Sequence, residues 1–148
     1  MPSLDVPRIR PATPADRESI AALSHQLGYP SSPAEIERRL AALAGRAEEA
    51  VWVAELEDEV VGWVHAGVYR TVESEAMVEL YGLVVDEEAR GTGVGAALLA
   101  TVESWTRERG FDRLRVRSSV VRERAHEFYE RHGFRRTKTQ HVFDRRLE

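Results

Sequence analysis

The stretch Val84-Val85-Asp86-Glu87-Glu88-Ala89-Arg90-Gly91-Thr92-Gly93-Val94-Gly95-Ala96-Ala97-Leu98-Leu99 decides how this chain folds. An apolar run ends at Val85, an acidic turn follows, three glycines alternate, and a helical pattern begins. A strand that runs into a glycine-rich loop and then a helix N-terminus makes an anion site. The first N–H groups of the helix have no intrahelical partner, and the dipole adds partial positive charge there. Glycine permits the tight turn and lets a phosphate approach the backbone closely.

Outward from this loop, periodicity sets the remaining elements. Met77 to Val85 reads as a strand, and Gly82 inside it suggests a bulge. Val51 to Leu56 and Val60 to Tyr69 read as two further strands around a turn at Glu57-Asp58-Glu59. Upstream, Val6 to Arg10 reads as a short strand. Thr13-Pro14 opens a helix with a stripe of Ile20, Leu23 and Leu27, which Gly28 ends. Ser32-Pro33-Ala34-Glu35 is a capping box for a second helix, which carries Ile36, Leu40 and Leu43 inward and stops at Gly45.

Downstream, Gly93 to Arg109 is helical, with Val94, Leu98, Val102 and Trp105 on one face. Leu114 and Val116 alternate with arginines as a half-buried strand. Val121 to His132 is a helix that Gly133 stops, and Phe134 to Leu147 is expected to hold one or two strands. The order β-α-α-β-β-β-α-β-α-β predicts an α/β domain: a mixed sheet covered by helices.

Composition bounds the function. The chain has 148 residues, 43% hydrophobic and 31% charged, which fits one soluble domain spanning 1–148. No apolar run is long enough to cross a membrane. Residues 1–10 show no signal-peptide pattern, so a cytoplasmic protein is the expectation. With no cysteine, disulfides, zinc–thiolate sites and a protein thioester are excluded. The five histidines lack metal-ligand spacing, so no metal is expected.

Net charge is −4, unevenly spread: residues 1–100 carry eight basic and seventeen acidic residues, residues 101–148 thirteen and eight. An acidic part suits a cationic ligand and a basic part an anionic one, although uneven solvated surface gives the same count. The basic residues lack aromatic interleaving, so nucleic acid is not an expected partner.

Three phosphate ligands compete for the loop. A nucleoside triphosphate loop needs Gly-Lys-Ser/Thr, and no lysine is near. Gly91-x-Gly93-x-x-Ala96 formally matches a dinucleotide fingerprint. However, Asp86 to Arg90 separate the strand from the first glycine, and the next strand ends Arg117-Ser118-Ser119 without the acid that fingerprint requires.

The third reading fits best. Arg90-x-x-Gly93-x-Gly95 resembles the pyrophosphate loop of the GNAT superfamily, the coenzyme A-dependent N-acetyltransferases. Ala125-His126-Glu127-Phe128-Tyr129-Glu130-Arg131-His132-Gly133-Phe134 resembles that family's Ala-x-x-Phe-Tyr-x-x-x-Gly-Phe block. One departure is Arg122, where many relatives carry asparagine.

The resemblance implies a mostly antiparallel sheet of six to seven strands, a central parallel pair that splays apart, and helices on both faces. It implies an acetyl-CoA-dependent enzyme that acetylates a primary amine directly. Pantetheine would pair with the backbone of Leu83, Val84 and Val85, and the pyrophosphate would sit on Arg90, Gly91, Thr92, Gly93, Val94, Gly95 and Ala96. The side chains of Arg90 and Thr92 either contact the cofactor or are simply exposed. Arg122 is a further cofactor candidate, and the Val85 N–H is the implied oxyanion donor.

Tyr129 is the implied acid for the departing thiolate, because a phenol keeps its proton at neutral pH. Glu79, an acid inside an apolar strand, is the candidate base or acceptor contact, or else it pairs with an arginine of a neighbouring strand. Strand alternation places it on one side with Tyr81, Leu83 and Val85. The acceptor is an unidentified amine. A homodimer is common in the resembling family, and a non-catalytic acyl-CoA-binding module is the rival class.

Overall fold

The computed structural model describes residues 6–148, so the reading of the first ten residues falls partly outside it. The chain forms two compact units, one ending at Val116 and the other running from Arg117 to Glu148. The first unit comprises β1 (Arg8–Pro11), α1 (Arg17–Leu27), α2 (Pro33–Leu43), β2 (Glu49–Leu56), β3 (Glu59–Tyr69), β4 (Met77–Val85), α3 (Val94–Glu108) and β5 (Leu114–Val116). Its sheet runs β1-β2-β3-β4-β5, antiparallel except for the parallel β4–β5 pair.

Local chemistry explains the helix ends. Ser32 Oγ accepts from the Glu35 N–H at 3.1 Å, and Glu35 Oε1 accepts from the Ser32 N–H at 3.0 Å, which starts α2 as a capping box. Before α1, Pro14–Asp16 forms a 3-10 turn rather than the first turn of the α-helix. Asp16, 5% exposed, accepts from the Thr13 N–H at 2.8 Å and takes both terminal nitrogens of Arg10 at 2.8 and 2.9 Å. Arg10 also binds Glu55 on β2, so one guanidinium ties β1 to the sheet and to the start of α1.

The β2–β3 hairpin closes through Glu57 and Asp58, with φ of 50° and 65°. Two left-handed residues suit the twist of a two-residue hairpin, but here neither is glycine or asparagine. Helices cover both faces. Ile20, Ala21 and Ile36 of α1 and α2 pack on Val53, with Trp63 and Leu40 beside them. On the other face Gly62 lies under α3, where a Cβ would come within 3.2 Å of both Val94 and Leu98. Trp52 meets Trp105 of α3 edge-to-face at 5.8 Å. Trp52 and Trp63 therefore serve opposite faces of the sheet.

The bulge lies in β4. His65 faces Gly82, but its neighbour Ala66 faces Leu80, so Tyr81 is the extra residue. This corrects the simple alternation. Cross-strand partners share a face and neighbours on β3 alternate, so Glu79 lies with Gly82 and Val84, while Leu83 and Val85 point the other way.

The second unit holds α4 (Glu123–Arg131), after which Gly133 takes a φ of +90°. The strands expected between Phe134 and Leu147 do not form, and the described sheet has five strands rather than six or seven. Val142, Phe143 and Leu147 are more than four-fifths exposed. A strand is held by its neighbour's hydrogen bonds, and a run of residues with strand-like composition does not supply them by itself.

Candidate active site

Pairing between β4 and β5 stops at Leu80 opposite Val116, while β4 continues to Val85. Gly82 to Val85 thus extend past the end of β5. The Asp86 N–H donates to the Val61 carbonyl at 2.8 Å, which makes Gly62–Val85 a non-hydrogen-bonded pair. By alternation, the N–H and C=O of Leu83 and Val85 point away from β3, and those of Val84 point into the ladder. The free edge therefore consists of Leu83 and Val85, with Val84 engaged elsewhere.

The strand then leads through the Glu87–Ala89 turn into the loop. Gly91 and Gly93 adopt φ of +81° and +86°, and nothing lies within 4 Å of where their Cβ atoms would be. Gly93 is the N-cap of α3, and its carbonyl accepts the first helical bond, from Ala97 at 3.0 Å. The N–H groups of Val94, Gly95 and Ala96 precede that bond and have no intrahelical acceptor. Thr92 Oγ1 donates to the Ala89 carbonyl, so this side chain braces the loop, and the Arg90 side chain is exposed. Open space, free donors and an exposed arginine fit a pyrophosphate.

Glu79 is 5% exposed and lies directly opposite Arg115 in the β4–β5 register. Arg115 Nε donates to Glu79 Oε1 at 2.9 Å, and Nη2 stands 2.8 Å from the same oxygen without hydrogen-bond geometry. The guanidinium also lies over the Tyr69 ring, 4.4 Å from its centroid. Burial alone would lower the Arg115 pKa, but the bonds to Glu79 and Tyr69 outweigh it and the net shift is upward.

In the second unit, Tyr129 sits on α4 with Phe128 and Phe134 rings at 5.4 Å. Burial pushes its phenol up to about 12, against a smaller opposing pull from the Arg122 charge. Arg122 caps α4 through its backbone, its carbonyl accepting from the His126 N–H at 3.1 Å. His126 and His132 bond to the carbonyls of Ser119 and Phe128, consistent with separate positions on the helix. No described cluster of His, Cys, Asp or Glu is suited to a metal.

No motif spacing along the chain singles out His65, but the fold gives it partners. Its Nε2 is 2.9 Å from Glu49 Oε2, and its ring lies 4.8 Å from that of Tyr81. Gly67 makes room for this group: a Cβ there would be 2.5 Å from Glu49 Oε2 and 2.8 Å from the Tyr81 ring. The available signal was hairpin arithmetic, since the β2–β3 register sets Glu49 opposite Gly67, two residues from His65.

A family model described as Acetyltransferase (GNAT) family matches residues 17–134. An aminoglycoside N(6′)-acetyltransferase type 1 of Stenotrophomonas maltophilia is 36% identical over 147 residues, 96% of this chain and 95% of that protein. Among solved structures, an aminoglycoside N-acetyltransferase in complex with CoA superposes with a TM-score of 0.87 at 20% identity, covering 99% of both chains. An aminoglycoside 6′-N-acetyltransferase from Acinetobacter baumannii gives 0.84 at 18% identity, over 97% of this chain and 100% of the other.

Proposed function

The chain belongs to the GNAT family of acetyltransferases and transfers the acetyl group of acetyl-CoA to an amine, and from that premise we propose that its acceptor is the 6′-amine of an aminoglycoside. The observation that carries this reading is the match to an aminoglycoside N(6′)-acetyltransferase along nearly the whole chain, α1 and α2 included. The fold alone would not carry it, because one fold hosts many acceptors. The net charge of −9 over residues 1–100 also suits a polycationic aminosugar.

In this reading Leu83 and Val85 pair with the pantetheine amides as an added strand would. Val84 contributes through its place in the ladder rather than through a free N–H. The loop from Arg90 through Gly91, Thr92, Gly93, Val94 and Gly95 to Ala96 holds the pyrophosphate, and Arg122 is a further contact. Tyr129 protonates the departing thiolate. Its raised pKa supports that role, since the phenol keeps its proton at neutral pH. Glu79 helps to shape the acceptor side. Its Oε1 already accepts from Arg115 Nε at 2.9 Å, which ties the carboxylate to β5. A cytoplasmic location and a homodimer complete the reading, the latter open to sedimentation.

The test is thiol release from acetyl-CoA with a panel of amines. Aminoglycosides with a 6′-amine are expected to turn over, and analogues with a 6′-hydroxyl are not. Acetylation at another amino group, or turnover only with polyamines or peptide amines, would exclude this acceptor.

A further inference from the structure

The acceptor of an acetyltransferase arrives at neutral pH as an ammonium and must lose a proton before its nitrogen can attack. Glu79, the acid that the sequence offers for this step, is occupied by Arg115. We propose that His65, oriented by Glu49, is the group that takes this proton. The proposal rests on the amine acetylation described above.

The geometry has three parts. First, Glu49 selects the tautomer. A carboxylate only accepts hydrogen bonds, so at 2.9 Å from Glu49 Oε2 the His65 Nε2 must carry the hydrogen. That leaves Nδ1 as the basic nitrogen whenever the ring is neutral, the same division of labour by which a carboxylate orients a catalytic imidazole.

Second, the position is built. Gly67 has no Cβ where one would strike both Glu49 and Tyr81, and Gly82 has none where one would lie 2.9 Å from the Trp63 ring. Two glycines on adjacent strands thus clear the face beside His65.

Third, the location matches the reaction. His65 lies directly across from Gly82, where β4 has already parted from β5 and its edge toward Leu83 and Val85 is free. β3 lies one strand spacing, about 4.8 Å, from β4, and a group paired on the free edge lies a second spacing beyond, a span that the acceptor amine and an ordered water fill. The His65 side chain is 23% exposed, so a substrate or water can reach it.

The titratable groups facing His65 are Glu49 from β2 and Tyr81 from β4. Glu79 and Arg115, farther along the same face, neutralise each other.

The step balances as follows. The acceptor R–NH3+ gives one proton to Nδ1 and becomes R–NH2. Its lone pair forms the C–N bond to the thioester carbonyl carbon, and the C–S bond breaks. The sulfur leaves as thiolate and gains a proton, the new amide nitrogen loses its second proton, and the imidazolium returns its proton to water. The net products are the amide, the thiol and one H+.

Kinetics and NMR together test this. In H65Q, kcat/KM is expected to fall about 10²–10⁴-fold, with KM for acetyl-CoA unchanged. The acid limb of the kcat/KM profile, which reports an essential base in the free enzyme, is expected to disappear. In H65A, added imidazole is expected to restore turnover, which a purely structural role would not allow. Long-range nitrogen–proton NMR of the wild-type protein is expected to show the Nε2–H tautomer at His65, and E49Q is expected to lose that preference. An H65Q enzyme that keeps the acid limb, or a wild-type Nδ1–H tautomer, overturns the assignment. If H65Q does not fold, the wild-type NMR result and the E49Q profile still decide it. Wild-type protein that releases no thiol with any amine would instead overturn acetyl transfer itself, and His65 with it.

Discussion

The carboxylate of Glu79 lies against the guanidinium of Arg115, Nε to Oε1 at 2.9 Å, at directly opposed positions of the parallel β4–β5 pair. Both groups are largely buried, and the pair stands at the last stretch where the two strands hold together. Removing one partner leaves a buried charge without compensation. E79Q or an Arg115→Met change is expected to cost roughly 3–5 kcal/mol, and the double variant much less than the sum. Urea denaturation of the four proteins gives the coupling directly. Additive losses would mean that the pair is not a unit.

Tyr129 is the acid proposed for the leaving thiolate. Tyr129→Phe keeps the ring contacts with Phe128 and Phe134 and removes only the hydroxyl. A fall in kcat of about 10²-fold or more is expected with little change in KM for acetyl-CoA. Because burial pushes this phenol up to about 12, a wild-type minus Y129F ultraviolet titration is expected to show a tyrosine ionising well above the usual range near pH ~10.

Gly93 sits at φ +86° with open space where a side chain would go. Gly93→Ala therefore strains the backbone by about 1–2 kcal/mol without a clash in the free protein. The methyl group would intrude where a phosphate approaches. The expected signature is a large rise in KM for acetyl-CoA beside a small fall in Tm. A Tm loss with KM unchanged would remove the loop from cofactor binding.

Asp16 supports α1 and β1 together. The Arg10 guanidinium beside it, helped by the Thr13 N–H and opposed by burial, holds its carboxyl below the usual carboxylate range. The sign follows from that direction. The unfolded state binds the proton more readily, so the stabilisation is complete above the unfolded pKa near ~3.9 and is lost as pH falls through the lower folded value. Asp16→Asn is expected to destabilise by about 2–3 kcal/mol at neutral pH, and the gap from wild type is expected to narrow below pH ~4. Chemical denaturation at pH 7 and pH 3 measures both.

The β2–β3 turn is open to improvement. Glu57 and Asp58 take left-handed φ of 50° and 65°, a conformation that costs most L-residues about 1–2 kcal/mol. Replacing them with Asn-Gly is expected to raise stability by about 1 kcal/mol and leave kinetics unchanged, since the turn lies outside the proposed site.

Local rules carried much of the architecture. The capping box at Ser32, the strand from Met77 to Val85 and the stop signals at Gly28 and Gly133 all stand where the sequence placed them. Each depends on contacts within a few residues, which are written in order along the chain. The loop from Arg90 to Ala96 was legible for the same reason, because glycine spacing and a helix start are local facts. The tail after Phe134 is expected to hold one or two strands and forms none, because local sequence does not supply the partner that makes a strand.

The sequence by itself determined the family, the cofactor class and the two motifs that carry them. Only the tertiary structure decided which side chains meet. One extra residue at Tyr81 reversed the alternation, turned Leu83 and Val85 away from the face that Glu79 shares, and left their N–H and C=O groups on the free edge. Residues 36 positions apart set Arg115 on Glu79, and residues 16 apart set Glu49 on His65. Those pairings follow from strand register, which is a property of the whole sheet. In this chain register separates an acid that reads as a base from the imidazole to which the fold gives that role.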